Sequence, residues 1–200
     1  MTGGAETLAV AERPRAMAHP RLRVAIVGVG SMGSNHARVV AESAAAQLAL
    51  IVDSDMARAR AVAHRYGCPA AAHLDGLSAC DAVIVSTSTE EHTRIGLEVI
   101  AAGKPLLVEK PVSERLGEVE ELLQAAATAD IPLMCGFVER FNPVISTMLT
   151  AIDEPVRHFV AIRHSPPNPT TTGVVHDLLI HDLDLAIRLN GGDEPDDVSG

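Results

Sequence analysis

A glycine pattern constrains the fold of this chain more than any other feature. Three glycines spaced as G-x-G-x-x-G directly follow a continuous apolar run at 22–27 and precede a segment of helical character. In such a turn the first glycine permits a sharp bend, the second lets a pyrophosphate approach the backbone, and the third lets the helix pack closely on the strand. Free N–H groups at the helix start bind the phosphates. The pattern predicts a strand–turn–helix unit that binds a dinucleotide through Gly28, Gly30, Ser31, Met32 and Gly33.

An acidic residue lies where this unit needs one. Asp53 follows Gly33 by twenty residues and ends a second apolar run at 48–52. A carboxylate at this place accepts hydrogen bonds from the ribose hydroxyls of adenosine and repels a 2′-phosphate, which predicts NAD as the cofactor in preference to NADP. Arg58 lies nearby and weakens that preference. The alternative interpretation is a structural glycine turn beside a solvated aspartate.

Apolar runs and helical segments alternate along residues 22–135. This alternation predicts an α/β fold, a doubly wound parallel sheet of the Rossmann type with right-handed crossovers. The predicted strands are 22–27, 48–52, 68–72, 82–86, 105–108 and 132–135, and the predicted helices are 31–45, 55–66, 90–102 and 113–129.

After Cys135 the pattern changes. Helices are predicted at 142–152 and 175–190, a strand at 156–163 and an irregular loop at 165–173. A lone strand has no partner with which to pair. Residues 136–200 are therefore predicted to be the start of a second, α+β domain, most of which is missing from the chain. Residues 1–21 are predicted to be a disordered extension.

Charge and cysteine content limit the classes of partner. The net charge of −10 argues against nonspecific binding of nucleic acid, which needs a basic surface. Three cysteines without C-x-x-C spacing are typical of a reducing compartment and predict no structural zinc. No apolar run reaches the length of about 18 residues that a membrane-spanning helix needs, and no signal peptide is recognisable. We therefore expect a cytoplasmic protein without metal, membrane or nucleic-acid partners.

The fourth and fifth strands end in polar residues. In open parallel sheets, ligands bind outside the carboxyl ends of the strands. Ser86, Thr87 and Ser88 are small hydroxyl residues that suit a loop beneath a cofactor ribose, and Glu109 and Lys110 lie where a nicotinamide ring and its substrate would meet. A lysine here suits a role that arginine cannot fill, because its ammonium can exchange a proton.

Two histidines are candidates for the site. His92 lies just inside the helix after the fourth strand, where it either packs on the preceding loop or contacts the cofactor. Asp177, His181 and Asp184 share one helix face, since their spacings are four and three. A carboxylate one turn from an imidazole can fix its tautomer and raise its basicity, as a general base requires. The alternative for this second group is a polar helix face, and we predict no metal there.

Five motifs occur in the order GVGSMGxxHA, strand-end Asp53, TSTEEH, AAGKPLLVEKP and DLLIHDLD. Together they resemble the glucose-fructose/inositol/rhizopine-type oxidoreductases, the Gfo/Idh/MocA family, over residues 22–190. The resemblance implies a Rossmann domain followed by a substrate domain whose open sheet also carries the interface of a homo-oligomer. It further implies that Lys110 hydrogen-bonds the reacting hydroxyl, that His181 is the general acid/base and that Asp177 supports it. Hydride would pass between a sugar or polyol carbon and C4 of the nicotinamide.

A narrower resemblance rests on GFVERFNP at 136–143, Arg163 and GVVHDLLIHDLDL. These segments are similar to the UDP-N-acetylglucosamine 3-dehydrogenase branch, in which NAD oxidises the 3-hydroxyl of a sugar nucleotide. This narrower resemblance implies substrate contacts by Arg140, Asn142, Arg163 and Asp184, although both arginines could equally be partners in structural salt bridges. An inositol or other cyclitol dehydrogenase with the same machinery, and a truncated chain that binds NAD(H) without catalysis, are the alternatives.

Overall fold

The computed structural model describes residues 20–154, 156–164 and 173–192. A parallel sheet of six strands forms its centre: β1 Leu22–Val27, β2 Ala46–Val52, β3 Ala70–Ala71, β4 Ala82–Val85, β5 Leu106–Val108 and β6 Leu133–Cys135. Their order across the sheet is β3-β2-β1-β4-β5-β6, which confirms the predicted doubly wound fold. The chain changes direction across the sheet between β1 and β4, the switch point at which such sheets bind ligands.

Four helices cover the two faces of the sheet. They are α1 Ser31–Glu42 and α2 Met56–Tyr66 on one face, and α3 Thr89–Ala101 and α4 Leu116–Thr128 on the other. Ile26 is fully buried in the cluster beneath α1 and α2, and Val85 is fully buried in the cluster beneath α3 and α4. Burial on both faces explains why the central strands have continuous apolar sequences.

The chain beyond β6 contributes a further layer. A 3₁₀ turn at Val138–Phe141 leads into α5, Pro143–Ala151, and a π-helical turn at Val175–Leu179 continues directly into α6, Ile180–Leu189. The helix α6 packs against the 3₁₀ turn and buries Asp184 and Leu185. This packing brings the predicted catalytic residues of α6 and its preceding turn toward the carboxyl end of the sheet.

The predicted strand at 156–163 is wrong. Residues 156–164 have no regular secondary structure, and apolar side chains in this segment face solvent, with Ile162 79 % exposed. A strand needs a neighbour to satisfy its backbone hydrogen bonds, and the part of the chain that the structure describes offers none here. The two 3₁₀ turns, Leu74–Ala79 and Val138–Phe141, were not predicted. The described residues do not include 1–19 and 165–172, which contain most of the predicted N-terminal extension and of the predicted loop.

Candidate active site

The glycine turn has the geometry that its sequence predicts. Gly28 has a φ of +83°, and a Cβ there would lie 2.7 Å from the backbone nitrogen of Thr87. A Cβ on Gly33 would lie 1.8 Å from the carbonyl oxygen of Gly28, so only glycine lets α1 approach the turn this closely. A Cβ on Gly30 would meet nothing within 4 Å. The protein itself therefore requires glycine at the first and third positions, whereas Gly30 leaves open space beside the backbone.

Asp53 is held in place by backbone N–H groups. Its carboxylate accepts hydrogen bonds from the backbone nitrogens of Val29 and Asp55, both at 2.9 Å, and the residue is 8 % exposed. The Nε atom of Arg58 lies 3.7 Å from the same carboxylate and also approaches Asp55. The carboxylate thus joins the glycine turn to the end of β2, in a fixed orientation.

A cleft of about 700 Å³ opens at the carboxyl ends of β1, β2 and β4. The start of α1 borders it, and no side chain caps the N-terminus of that helix. Exposed backbone N–H groups and a positive helix end suit an anion such as a pyrophosphate. The predicted cofactor residues that line the cleft are Gly28, Gly30, Ser31, Met32, Asp53, Ser86, Thr87 and Ser88.

The loop after β4 is fixed by two hydrogen-bonded side chains. The Ser86 hydroxyl donates to the carbonyl oxygen of Gly28 at 2.8 Å, which ties β4 to the glycine turn. His92 is 2 % exposed and is not among the residues that line the cleft. Its Nδ1 and Nε2 atoms lie 2.8 Å from the carbonyl oxygen of Pro111 and 3.2 Å from that of Thr87. This placement favours the packing alternative for His92, and a cofactor contact stays a prediction.

Lys110 meets Asp177 across the boundary between the sheet and the added layer. The Nζ atom of Lys110 donates to the Asp177 carboxylate at 2.9 Å and to its main-chain oxygen at 2.7 Å. Lys110 follows β5 and Asp177 lies in the π-helical turn before α6, so residues 67 apart in sequence come together. The sequence predicted a shared site for these residues, with Asp177 supporting His181. The carboxylate binds the lysine ammonium in a charge-assisted hydrogen bond, and its support of His181 stays a prediction.

His181 lies in the first turn of α6, beside this ion pair. Burial lowers its pKa below the usual 6.5, and the positive charges of Lys110 and Arg163 lower it further. Its Nδ1 atom is buried and has no hydrogen-bond partner within the described ranges. The imidazole is therefore neutral at neutral pH, and its Nδ1 atom is not bonded by any of the described residues.

The four predicted substrate residues make contacts within the chain. Arg140 donates from Nε to both carboxylate oxygens of the buried Asp184, at 3.0 Å each, and stacks on the Phe137 ring. Arg163 pairs with Asp182 at 2.9 Å. Asn142 caps α5 by accepting the N–H of Val144 at 3.0 Å. These contacts are the structural salt bridges and cap that fix α5 and α6, and substrate binding by the same residues stays a prediction.

Sequence reasoning missed a histidine that binds Glu109. The Nε2 atom of His36 lies 2.6 Å from one carboxylate oxygen of Glu109, and the other accepts the backbone N–H of Lys110 at 3.2 Å. A Cβ on Gly136 would lie 3.0 Å from this carboxylate, so glycine leaves room for it. His36 follows Gly33 by three residues on the sheet-facing side of α1, and this periodicity was the available signal.

Two features are absent from the described residues. No group of three His, Cys, Asp or Glu side chains within those ranges is arranged to hold a metal ion. None of the helices found there has the length and apolar character required to cross a membrane.

Comparison with known proteins places the chain among oxidoreductases. The profile of the family described as "Oxidoreductase family, NAD-binding Rossmann fold" (GFO_IDH_MocA) matches residues 22–137. A UDP-N-acetylglucosamine 3-dehydrogenase of Acidithiobacillus ferrooxidans is 35 % identical over 180 residues, which are 88 % of this chain and 56 % of that protein. An inositol 2-dehydrogenase of Rhizobium meliloti is 31 % identical, over 89 % of this chain and 57 % of that protein.

Solved structures agree with these relatives. The structure of UDP-N-acetylglucosamine 3-dehydrogenase GnnA from Acidithiobacillus ferrooxidans matches with a TM-score of 0.82 at 34 % identity, over 90 % of this chain and 59 % of that one. GenD2 from gentamicin A biosynthesis, solved in complex with NAD, matches with a TM-score of 0.77 at 28 % identity, over 90 % of this chain and 57 % of that one. The chain thus spans somewhat more than half the length of the relatives that it matches.

Proposed function

The chain belongs to the Gfo/Idh/MocA family of oxidoreductases with an NAD-binding Rossmann fold, and from that premise we propose that it transfers a hydride between nicotinamide and a hydroxyl-bearing carbon of a sugar or sugar nucleotide. The observation that carries this proposal is the Lys110–Asp177 ion pair beside His181, whose Nδ1 atom has no partner among the described residues. This arrangement brings a lysine donor and a neutral imidazole to one place, and an alcohol oxidation needs both groups.

The cleft beside α1 supports binding of the adenosine half of the cofactor. A Cβ on Gly30 would meet none of the described residues within 4 Å, and this open space lets a pyrophosphate approach the backbone. Asp53 retains carboxylate lone pairs beyond those that accept the Val29 and Asp55 N–H groups, and these can accept the ribose hydroxyls. Because the same carboxylate repels a 2′-phosphate, NAD is the proposed cofactor in preference to NADP.

The side chains near Lys110 have the properties that an alcohol oxidation needs. When bound, the nicotinamide supplies the hydride acceptor. His181, kept neutral by burial, takes the hydroxyl proton at its imidazole. The Lys110 Nζ atom donates to the same oxygen and stabilises the negative charge that develops there, while Asp177 holds the ammonium at 2.9 Å. The carbon loses a hydride and its hydroxyl a proton, so a ketone and a reduced nicotinamide result.

The proposed substrate is a sugar nucleotide of the UDP-N-acetylglucosamine type, oxidised at its 3-hydroxyl. The support is the 35 % identity to a relative with that name and the structural match to a protein of the same name. A cyclitol is the second candidate, because a relative named inositol 2-dehydrogenase is 31 % identical over a similar share of the chain.

Two finer proposals concern the setting of the protein. We propose a homo-oligomer, because apolar side chains such as Phe141 and Val144 around α5 are more than 70 % exposed and suit burial by further protein. We propose a cytoplasmic location, because the three cysteines Cys68, Cys80 and Cys135 are all free.

An activity assay with two substrates tests the proposed function. The purified chain is mixed with NAD and, in separate samples, with UDP-N-acetylglucosamine or myo-inositol, and the appearance of NADH absorbance is followed. NADH binding is measured in parallel by the change in its fluorescence, which is free of tryptophan background because the chain has no Trp.

Each outcome decides between named alternatives. Turnover with the sugar nucleotide alone supports the sugar-nucleotide proposal, and turnover with myo-inositol alone replaces it with the cyclitol candidate. No turnover with either substrate, in protein that still binds NADH, contradicts the proposed catalysis by this chain and favours a non-catalytic NAD(H)-binding protein. Failure to bind NADH contradicts the cofactor assignment itself.

A further inference from the structure

His92 is a buried histidine that the proposed chemistry does not use. It lies in the first turn of α3 and is 2 % exposed. Both of its ring nitrogens face main-chain oxygens: Nδ1 is 2.8 Å from that of Pro111, and Nε2 is 3.2 Å from that of Thr87. A neutral imidazole has one N–H, so it donates to one of these oxygens and packs against the other. A side chain buried at this depth between two main-chain segments restrains both of them, because interiors are close-packed.

The two carbonyl groups belong to different halves of the candidate site. Thr87 lines the cleft that suits the adenosine half of a dinucleotide. Pro111 directly follows Lys110, whose ammonium binds Asp177. The strands β4 and β5 that carry these loops are hydrogen-bonded neighbours, but their ladder ends at Val85 and Val108. Beyond the ladder, His92 bridges the two loops.

We propose that His92 is a positioning residue, which sets the loop 86–88 and the Lys110–Pro111 turn at a fixed separation. Its ring thereby aligns the Lys110 ammonium with whatever occupies the cleft beside Thr87. The catalytic importance of this alignment rests on the proposed function, whereas the positioning itself does not. His92 does not need to touch cofactor or substrate in this role, which agrees with its absence from the cleft lining.

Two conservative substitutions divide the contacts of the ring between them. The amide of asparagine reaches about as far as Nδ1, so His92→Asn keeps a polar contact with the Pro111 oxygen and loses the contact with Thr87. The longer glutamine amide reaches about as far as Nε2, so His92→Gln keeps a polar contact with the Thr87 oxygen and loses the contact with Pro111. His92→Leu loses both. His64→Gln, at an exposed histidine of α2, is the matched control.

The position of Lys110 can be read without any activity, because the chain contains only two lysines. Protein grown with ¹⁵N-lysine gives two backbone amide signals, and Lys104→Arg assigns them. Lys110 donates its amide N–H to Glu109 and adjoins Pro111, so its signal reports on the turn. Lys104 donates from Nζ to the carbonyl oxygen of Cys80 and serves as an internal control. NADH affinity, measured by fluorescence, reports on the loop at Thr87.

We expect the Lys110 signal and the NADH affinity to respond to different substitutions of His92. In His92→Gln the Lys110 signal moves, while NADH affinity stays within about twofold of the wild type. In His92→Asn the Lys110 signal stays, while NADH affinity falls by more than that, because the ring contact with the loop at Thr87 is lost. In His92→Leu both change. The Lys104 signal and the His64→Gln control stay as in the wild type.

Other outcomes overturn the proposal. If the Lys110 signal is unmoved in folded His92→Gln and His92→Leu, the ring does not hold the turn. If both lysine signals move together in every His92 variant, the ring has only a general packing role. The proposed function fails separately: a wild type without turnover, or without NADH affinity, contradicts that function, while the Lys110 signals alone still decide the positioning role.

Discussion

Lys110 and Asp177 restrain each other at the centre of the candidate site. The ammonium has two acceptors on one residue, the carboxylate at 2.9 Å and the main-chain oxygen at 2.7 Å. An ammonium has three donors, so one N–H remains for a substrate oxygen. A guanidinium is planar and larger and cannot be substituted into this geometry without movement. This explains the lysine at 110 in a chain whose other basic residues are almost all arginines.

At the same scale, the pKa of His181 is expected to depend on Lys110. Burial is the first cause of its lowered pKa and the charge of Lys110 is the second. In Lys110→Met the pKa of His181 should therefore rise. A titration of the imidazole resonances by NMR, assigned with His181→Asn, measures this. Lys104→Met removes a similar charge elsewhere, and an equal rise of the pKa in that variant would contradict the assignment of the cause.

The lowered pKa of His181 also has a consequence for stability. The folded protein binds a proton at His181 less readily than the unfolded chain, so stability rises with pH where the unfolded chain alone is protonated. The contribution of neutral His181 to the free energy of unfolding is complete above about pH 6.5. It declines as the pH falls toward the lowered pKa of the folded protein and is lost below that pKa. Urea unfolding of the wild type and of His181→Asn across this range checks the sign: the wild type should lose more stability on acidification than the variant does.

At the scale of the element, the start of α1 is defined by two glycines with different purposes. Gly33→Ala should destabilise the fold by at least about 2 kcal/mol, because its Cβ would overlap the carbonyl oxygen of Gly28. Gly30→Ala should change stability by no more than about 1 kcal/mol, since its φ of −66° suits alanine and its Cβ meets open space. We expect Gly30→Ala instead to weaken NADH binding at least about tenfold, because the methyl group occupies the space of the pyrophosphate.

Urea unfolding and NADH fluorescence titration of the two variants measure this difference. Gly117→Ala is the matched control, because a Cβ there also meets open space but lies on α4, away from the cleft. It should leave NADH binding unchanged. If Gly30→Ala bound NADH as tightly as this control does, the pyrophosphate would not lie at the glycine turn.

Elements whose signals are local were predicted well from the sequence. The glycine turn, the strand-end Asp53 and the six strands each follow from a few adjacent residues, and all lie where the sequence predicted them within a few residues. The failure at 156–163 has a physical reason: alternation of apolar residues indicates a strand only where a neighbouring strand supplies the hydrogen bonds. Contacts such as His36 with Glu109, or Arg140 with Asp184, join distant segments, and no local pattern specifies such partners.

At the scale of the whole molecule, cofactor binding is linked to folding. A ligand that binds only the folded state adds about 2.7 kcal/mol to the free energy of unfolding when its concentration is about 100 times its Kd. For a chain of this size that raises Tm by about 5–10 °C. We expect such a rise with NADH and a smaller one with NADPH, because Asp53 repels the 2′-phosphate. Thermal unfolding with each nucleotide at equal concentration measures the difference.

Removal of the charge on Asp53 tests the cause of that preference. In Asp53→Asn the rise in Tm with NADH should shrink, and the difference between NADH and NADPH should narrow. Asp130→Asn, an exposed residue at the end of α4, is the control and should keep the wild-type difference. An unchanged preference in Asp53→Asn would mean that other residues select the cofactor.

The central claim is that a nucleotide site and a catalytic lysine act together in this chain. The most direct test compares turnover and NADH affinity in the wild type, Lys110→Met, Lys110→Arg and the control Lys104→Met. The account predicts that both Lys110 variants lose turnover by a factor of at least about 100, that they bind NADH within about twofold of the wild type, and that Lys104→Met resembles the wild type. A Lys110→Met protein that turns over substrate as the wild type does would contradict the account.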